Sequence, residues 1–140
     1  MKKILFKGCG TAICTPFNKN GINIKELERF VNFQIQNGVD SLIVCGTTGE
    51  SSTMSTEEKI DTINCVVKTA NGRVPVIAGT GGNNTKTVIE DSKLAESLGV
   101  DGLLIVTPYY NKCTQNGLIE HYSHIASEVS LPIILYNVPR

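Results

Sequence analysis

The sequence contains no tryptophan and only four tyrosines and four phenylalanines in 140 residues, so any core must be built from aliphatic side chains. Long hydrophobic runs are missing too: no segment approaches the ~20 apolar residues of a membrane span. Nor is there an excess of charge. Lys+Arg and Asp+Glu number 13 each, which leaves no field to favour nucleic acid or an anionic membrane as a partner. The five cysteines (Cys9, Cys14, Cys45, Cys65, Cys113) are odd in number, scattered and without a C-x-x-C pair. This argues against a disulfide framework and fits buried, reduced thiols in a cytosolic protein. Cys113 follows a candidate site loop, yet nothing near it in sequence would evidently lower its pKa. Met1-Lys2-Lys3 before Ile4-Leu5-Phe6 begins like a secretion signal, but Lys7 cuts the apolar run at three residues.

What is present is a regular alternation. Gly10 to Cys14 is small and apolar and ends at Thr15-Pro16-Phe17, a first strand, followed by a polar loop from Asn18 to Gly21. Asn23 with Glu26 makes a capping-box-like start to a helix lined by Ile24, Leu27, Phe30, Val31 and Ile35, and Gly38 stops it. A second strand, Ser41-Leu42-Ile43-Val44-Cys45, runs into Gly46-Thr47-Thr48-Gly49-Glu50. Ser55 and Glu58 form a second capping box, opening a helix along Ile60, Ile63 and Val67 that Gly72 closes. Val74 to Ala78 is the third strand; Val88, Ile89, Leu94, Ala95 and Leu98 mark the third helix, ending at Gly99. Leu103 to Val106 is the fourth strand; Leu118, Ile119, Tyr122, Ile125, Ala126 and Val129 mark the fourth helix. Pro132 to Asn137 is the fifth strand.

The strands are short apolar runs without polar alternation, as expected when both faces are covered. They recur at about 30 residues per unit, the length of a βαβ repeat. Gly38-Val39-Asp40 and Gly99-Val100-Asp101 repeat at the same junction, two units apart. The pattern predicts an α/β protein of five strands and four helices, and the repeated junction favours a (β/α)8 barrel, here incomplete. A doubly wound open sheet fits almost as well. A complete barrel needs about 250 residues, so a barrel here is incomplete and has bare strand edges.

The carboxyl ends of the strands share a chemistry. Thr15-Pro16, the Gly46–Glu50 stretch, Gly79-Thr80-Gly81, Thr107-Pro108-Tyr109-Tyr110 and Tyr136-Asn137-Val138-Pro139 all carry hydroxyls, glycines or phenols. The opposite junctions carry only glycines and aspartates. Ligands bind at the carboxyl ends in parallel α/β proteins, so this asymmetry marks the candidate active rim.

At these positions the chain resembles the dihydrodipicolinate synthase (4-hydroxy-tetrahydrodipicolinate synthase) family, within the pyruvate-dependent class I aldolase superfamily that includes N-acetylneuraminate lyase. Gly10-Thr11-Ala12 through Phe17, Gly46 through Ser51, Pro75 through Gly81, Thr107 through Asn111 and Leu135 through Pro139 carry the resemblance, in order over essentially the whole chain. It implies a lyase of lysine and diaminopimelate biosynthesis that binds pyruvate as a Schiff base and adds the enamine to aspartate semialdehyde, without metal or organic cofactor. Tyr136 corresponds to the proton-shuttling tyrosine, with Thr47 and Tyr110 as relay partners, Tyr110 reaching across a dimer interface. Thr48 corresponds to the residue that binds the pyruvate carboxylate. The chemistry is coherent, since a phenol with a pKa near 10 needs a hydrogen-bonded relay to move protons at neutral pH. The resemblance further implies a homotetramer built from tight dimers.

The departures are as informative. The Schiff-base lysine would lie beyond this sequence; Lys59, Lys68, Lys86 and Lys93 are expected on solvated helix faces or caps and Lys112 in a loop, so none substitutes. The family's Asn-Val-Pro-x-Arg places Arg140 at x, so the role of the substrate-binding arginine cannot pass to it. Ser51, Asn83 and Tyr109 match a regulatory lysine site, but Thr56, Lys59 and Thr87 replace His, His and Glu of lysine-inhibited members. Alternatives within the superfamily are N-acetylneuraminate lyase and 2-keto-3-deoxy sugar acid aldolases. An alternative of another class is a catalytically silent fragment or association module. His121 and His124 beside Glu120 lack a third metal ligand and are expected on a solvated helix face.

Overall fold

Residues 4–138 are described by a computed structural model. In chain order its elements are β1 (Gly10–Ala12), β2 (Phe17–Asn18), β3 (Gly21–Ile22), α1 (Ile24–Gln36), β4 (Ser41–Val44), α2 (Thr56–Ala70), β5 (Val76–Gly79), α3 (Thr85–Ser97), β6 (Gly102–Val106), α4 (Gln115–Glu128) and β7 (Ile133–Tyr136). Two short 3-10 turns, Thr47–Gly49 and Ser51–Thr53, lie between β4 and α2. The expected polar loop at Asn18–Gly21 is instead a small antiparallel hairpin of β2 and β3. Gly21 adopts a positive φ of 108° and the Asn20 N–H donates to Asn18 Oδ1 at 2.8 Å, which tightens the turn.

The five longer apolar runs pair as one parallel sheet in the order β1-β4-β5-β6-β7. Every strand lies beside the strand of the preceding unit, with no reversal of order. A doubly wound sheet requires such a reversal, so the strand order decides for the barrel. The arrangement is that of an incomplete (β/α)8 barrel; among the described residues β1 and β7 each have one neighbour.

Register divides the sheet's faces. Leu42 and Val44, Val76 and Ala78, and Leu103 and Ile105 are buried with Leu27 and Val31 of α1, Val66 of α2, Val88 of α3 and Ile125 of α4 in one cluster. Each such side chain removed from water is worth ~1.5–3 kcal/mol. Alternate residues point to the opposite, inner face. Parallel pairing of Leu104 with Ile134 and Val106 with Tyr136 carries that face across to β7. Tyr136 therefore points to the inside, whereas Leu135 on the outer face is 64% exposed.

The helix starts follow the sequence unequally. Ser55 and Glu58 complete a reciprocal capping box at 3.2 and 2.9 Å. Asn23 accepts from the Glu26 N–H at 3.3 Å, but the Glu26 carboxylate turns to Arg29 and leaves the reciprocal half unmade. Asn71, at φ 47°, caps α2 in the left-handed region, one residue before the glycine expected to close it.

The repeated Gly-Val-Asp junctions have one geometry. Asp40 Oδ2 accepts from the Cys9 N–H at 2.7 Å while the Asp40 N–H donates to the Cys9 carbonyl at 2.8 Å. Asp101 does the same with Val76, at 2.8 Å both ways. Each aspartate thus clamps the start of the neighbouring strand. β5 and β7 are instead entered through Pro75 and Pro132, whose carbonyls accept from Leu42 and Leu103 at 3.0 Å.

Candidate active site

At the carboxyl ends of the strands the backbone leaves regular geometry. Cys45 (φ 56°), Glu50 (φ 59°) and Tyr110 (φ 64°) are all left-handed without being glycine. Each such residue costs on the order of 1 kcal/mol and persists only where surrounding contacts hold it. The loop after β4 is held from below: Thr15, buried at the end of β1, donates its hydroxyl to the Gly49 carbonyl at 2.8 Å. A Cβ on Gly49 would lie 3.2 Å from both the Ile13 carbonyl and Thr15 Oγ1. A Cβ on Gly79 would lie 2.4 Å from the Cys45 carbonyl. These two glycines let neighbouring strand ends close on each other. Gly46 has no such neighbour nearer than 3.9 Å and stays open.

Inside this rim is a cavity of about 810 Å³, lined among others by Thr47, Ser51, Tyr109, Tyr110 and Tyr136. The structure thus brings together five of the residues singled out from sequence. Tyr136 is 43% exposed toward it, not packed as a core tyrosine would be. Tyr110 is 91% exposed. Thr48 is exposed in the turn but does not line the cavity. The turn's first hydrogen bond runs from the Gly49 N–H to Gly46 at 3.0 Å, so the N–H groups of Thr47 and Thr48 precede it and have no partner within the turn. Asn83 stays outside the cavity too; its Oδ1 accepts from the Tyr109 N–H at 2.8 Å and ties the β5 loop to the β6 loop. Tyr122 steadies β6 from below, donating its hydroxyl to the Ile105 carbonyl at 2.9 Å, and burial pushes its phenol above the ordinary value. Arg140 and Pro139 lie outside the described residues, as do Met1, Lys2 and Lys3.

Several expectations are corrected. Lys59 is not on a solvated face: it is half-buried, lines the large cavity and also a smaller one of about 50 Å³ shared with Thr56 and Asp91. His121 is 6% exposed, not solvated. Its Nδ1 lies 2.9 Å from the Thr85 hydroxyl at the start of α3, and burial lowers its pKa below the ordinary value. His124 is exposed, and no group of three potential metal ligands occurs among the described residues. Of the cysteines only Cys45 and Cys65 are buried; Cys9, Cys14 and Cys113 are exposed, and all are free. Burial pushes the Cys45 thiol up to about 12, which leaves it protonated. Sequence reasoning missed Ser52 and the inward placement of Lys59, and although it set Thr15 on the rim it gave that residue no role in holding the loop after β4. Neither Ser52 nor Lys59 carried a local signal for this.

Known proteins share this arrangement. Residues 5–140 match the dihydrodipicolinate synthetase family. The chain belongs to that family. A 4-hydroxy-tetrahydrodipicolinate synthase of Clostridium tetani is 56% identical over 135 residues, 96% of this chain and 46% of that protein. The crystal structure of the dihydrodipicolinate synthase of Thermotoga maritima superposes with a TM-score of 0.95 at 46% identity, covering 97% of this chain and 46% of its own. The chloride-inhibited dihydrodipicolinate synthase of Acinetobacter baumannii, solved with pyruvate, gives a TM-score of 0.92 at 51% identity, covering 94% and 46%. The chain thus spans about half the length of the family relatives it matches.

Proposed function

We propose that the protein carrying this chain is a Schiff-base-forming lyase that condenses pyruvate with L-aspartate 4-semialdehyde in lysine biosynthesis, as a cytoplasmic homo-oligomer. The observation that carries the reading is the meeting of Thr47, Tyr110 and Tyr136, from three separate strand ends, around one cavity. Pyruvate's carboxylate is received at the turn that borders the cavity through Thr47, by the N–H groups of Thr47 and Thr48 that precede its first hydrogen bond, with the Thr48 hydroxyl carried over from the family resemblance alone. Its carbonyl carbon condenses with a lysine beyond these 140 residues and releases water. Tyr136 passes protons to and from the reacting carbon and oxygen, and Thr47 and Tyr110 connect its phenol to solvent. The exposure of Tyr110 favours its completing the relay at a subunit contact. No metal or organic cofactor is needed for this chemistry, because the protonated imine is itself the electron sink.

Borohydride reduction of the full-length protein in the presence of pyruvate tests the reading. A stable mass increase of one reduced pyruvate per chain is expected, on a peptide outside residues 1–140. An absence of adduct would defeat it, and an adduct on Lys59 or Lys112 would move the nucleophile into this chain.

A further inference from the structure

Four asparagines of the sequence precede a glycine: Asn20-Gly21, Asn37-Gly38, Asn71-Gly72 and Asn116-Gly117. This dipeptide carries a reaction of its own. The backbone nitrogen of the glycine, with no side chain beside it to shield it, attacks the carboxamide carbon Cγ of the asparagine and expels ammonia, which leaves a five-membered succinimide. Water then opens the ring. Cleavage of the bond between the glycine nitrogen and Cγ gives aspartate. Cleavage of the bond to the old backbone carbonyl carbon gives isoaspartate, with one more carbon in the main chain. All four asparagines are exposed, so access does not choose between them. What chooses is whether the attacking N–H and the carboxamide are already committed to other partners.

Three of the pairs are so committed. The Gly38 N–H donates to the Ile35 carbonyl at 3.1 Å, and Asn37 Nδ2 donates to the Phe33 carbonyl at 2.8 Å. The Gly117 N–H, in the first turn of α4, donates to Thr114 Oγ1 at 3.1 Å. In the β2–β3 hairpin the Asn23 N–H donates to the Pro16 carbonyl at 2.8 Å, so the alternation of an antiparallel ladder makes Asn18 and Gly21 a hydrogen-bonded pair as well. Asn71-Gly72 differs. The Asn71 N–H donates to Val67 and the Arg73 N–H to Ala70, both at 3.0 Å, and among the described residues the Gly72 N–H between them has no backbone partner. The nearby carbonyls of Thr69 and Ala70 are taken by the Arg73 guanidinium rather than by the Asn71 carboxamide. No atom lies within 4 Å of where a Cβ on Gly72 would stand, so the turn is open on that side.

We propose that, of these four, Asn71 is the asparagine that deamidates spontaneously in the folded protein, and that the reaction loosens the end of α2. The product puts a carboxylate at the negative end of the helix dipole. It also stands two residues from Arg73, whose Nη2 and Nε hold the Thr69 and Ala70 carbonyls at 2.6 and 3.1 Å. A carboxylate there competes for that guanidinium. In the isoaspartyl form the added main-chain carbon removes the left-handed cap that Asn71 supplies at φ 47° and ψ 44°. The change falls at the amino-terminal rim, at the opposite end of the sheet from the candidate active site.

Peptide mapping by mass spectrometry of the full-length protein, incubated at mildly alkaline pH, tests this. The Asn71 peptide is expected to gain about 1 Da, and to split into aspartyl and isoaspartyl forms, roughly tenfold faster than the Asn20, Asn37 and Asn116 peptides. In urea, where the chain is unfolded, the four should react at similar rates. Equal rates in the folded protein, or a lead for Asn71 that persists unchanged in urea, overturns the proposal. The thermal unfolding midpoint should fall by ~2–4 °C as the modified form accumulates. It should hold still in Asn71→Gly, which keeps the left-handed cap and has no carboxamide to react. A fully modified wild type as stable as the fresh protein overturns the assigned effect on α2. Neither readout depends on the lyase reading, which borohydride trapping tests separately.

Discussion

The two rims of the sheet solve opposite problems. At the amino-terminal rim the backbone pairs with itself through side chains that do nothing else: Asp40 and Asp101 each make the same two-way clamp on the start of an adjacent strand. Their glycines, Gly38 and Gly99, have φ of 85° and 87°, the conformation glycine adopts without strain. At the carboxyl-terminal rim the left-handed positions belong to Cys45, Glu50 and Tyr110, which adopt it at a cost, whereas the non-glycine at the amino-terminal rim is Asn71, of a residue type that tolerates it. One rim is relaxed and repetitive; the other is strained, different in every unit and rich in hydroxyls. Strain concentrates where side chains must be aimed at something other than the protein.

The largest effect that separates the rims should come from Tyr136→Phe. In the full-length protein turnover by the proposed reaction should fall ~10²–10⁴-fold with an unchanged unfolding midpoint, because the phenol is the group proposed to transfer the proton. A variant that turns over like wild type would remove Tyr136 from the chemistry. Gly79→Ala should sharpen the comparison from the packing side. Its methyl would meet the Cys45 carbonyl at 2.4 Å, so the ends of β4 and β5 must part, at ~1–3 kcal/mol in urea unfolding. Turnover should drop with it, since Thr47 follows Cys45 by two residues; stability lost without any change in rate would separate that contact from the site. The smallest effect should come from Asp101→Ala, which leaves the Val76 N–H without its carboxylate at an exposed junction and should cost ~1 kcal/mol with turnover unchanged. If Asp101→Ala instead lowered turnover at constant stability, the division of labour between the rims would fail.

The sequence and the structure agree most where burial sets the pattern. Uninterrupted runs such as Leu103-Leu104-Ile105-Val106 announce strands covered on both faces, and the periodic Leu27 and Val31 announce the helix that covers one of them. Strand order was harder to read, because a barrel and a doubly wound sheet use the same local units and differ only in which strand lies beside which. Positions governed by contacts distant in sequence were not legible. Nothing local in Gly46-Thr47-Thr48-Gly49 reveals that Gly49 is there for Thr15 and Ile13, some 34 residues earlier for the Thr15 hydroxyl bond. His121 looked solvated beside Glu120 and His124 because its partner, Thr85, lies 36 residues away. Lys59 falls among charged neighbours on α2, and only the tertiary fold sets it on a small cavity shared with Asp91 of α3.

One feature of β7 reaches beyond geometry. Tyr136 closes a strand whose ladder, among the described residues, runs along one side only, and its carbonyl accepts from the Thr107 N–H at 2.9 Å as the last bond of that ladder. The direction of its phenol is thus set from the side of β6, and a strand pairing along the free edge would set it from the other. Aim and closure are then one event. Under the proposed chemistry, a strand pairing along the free edge of β7 would also set the aim of the phenol that carries the proton.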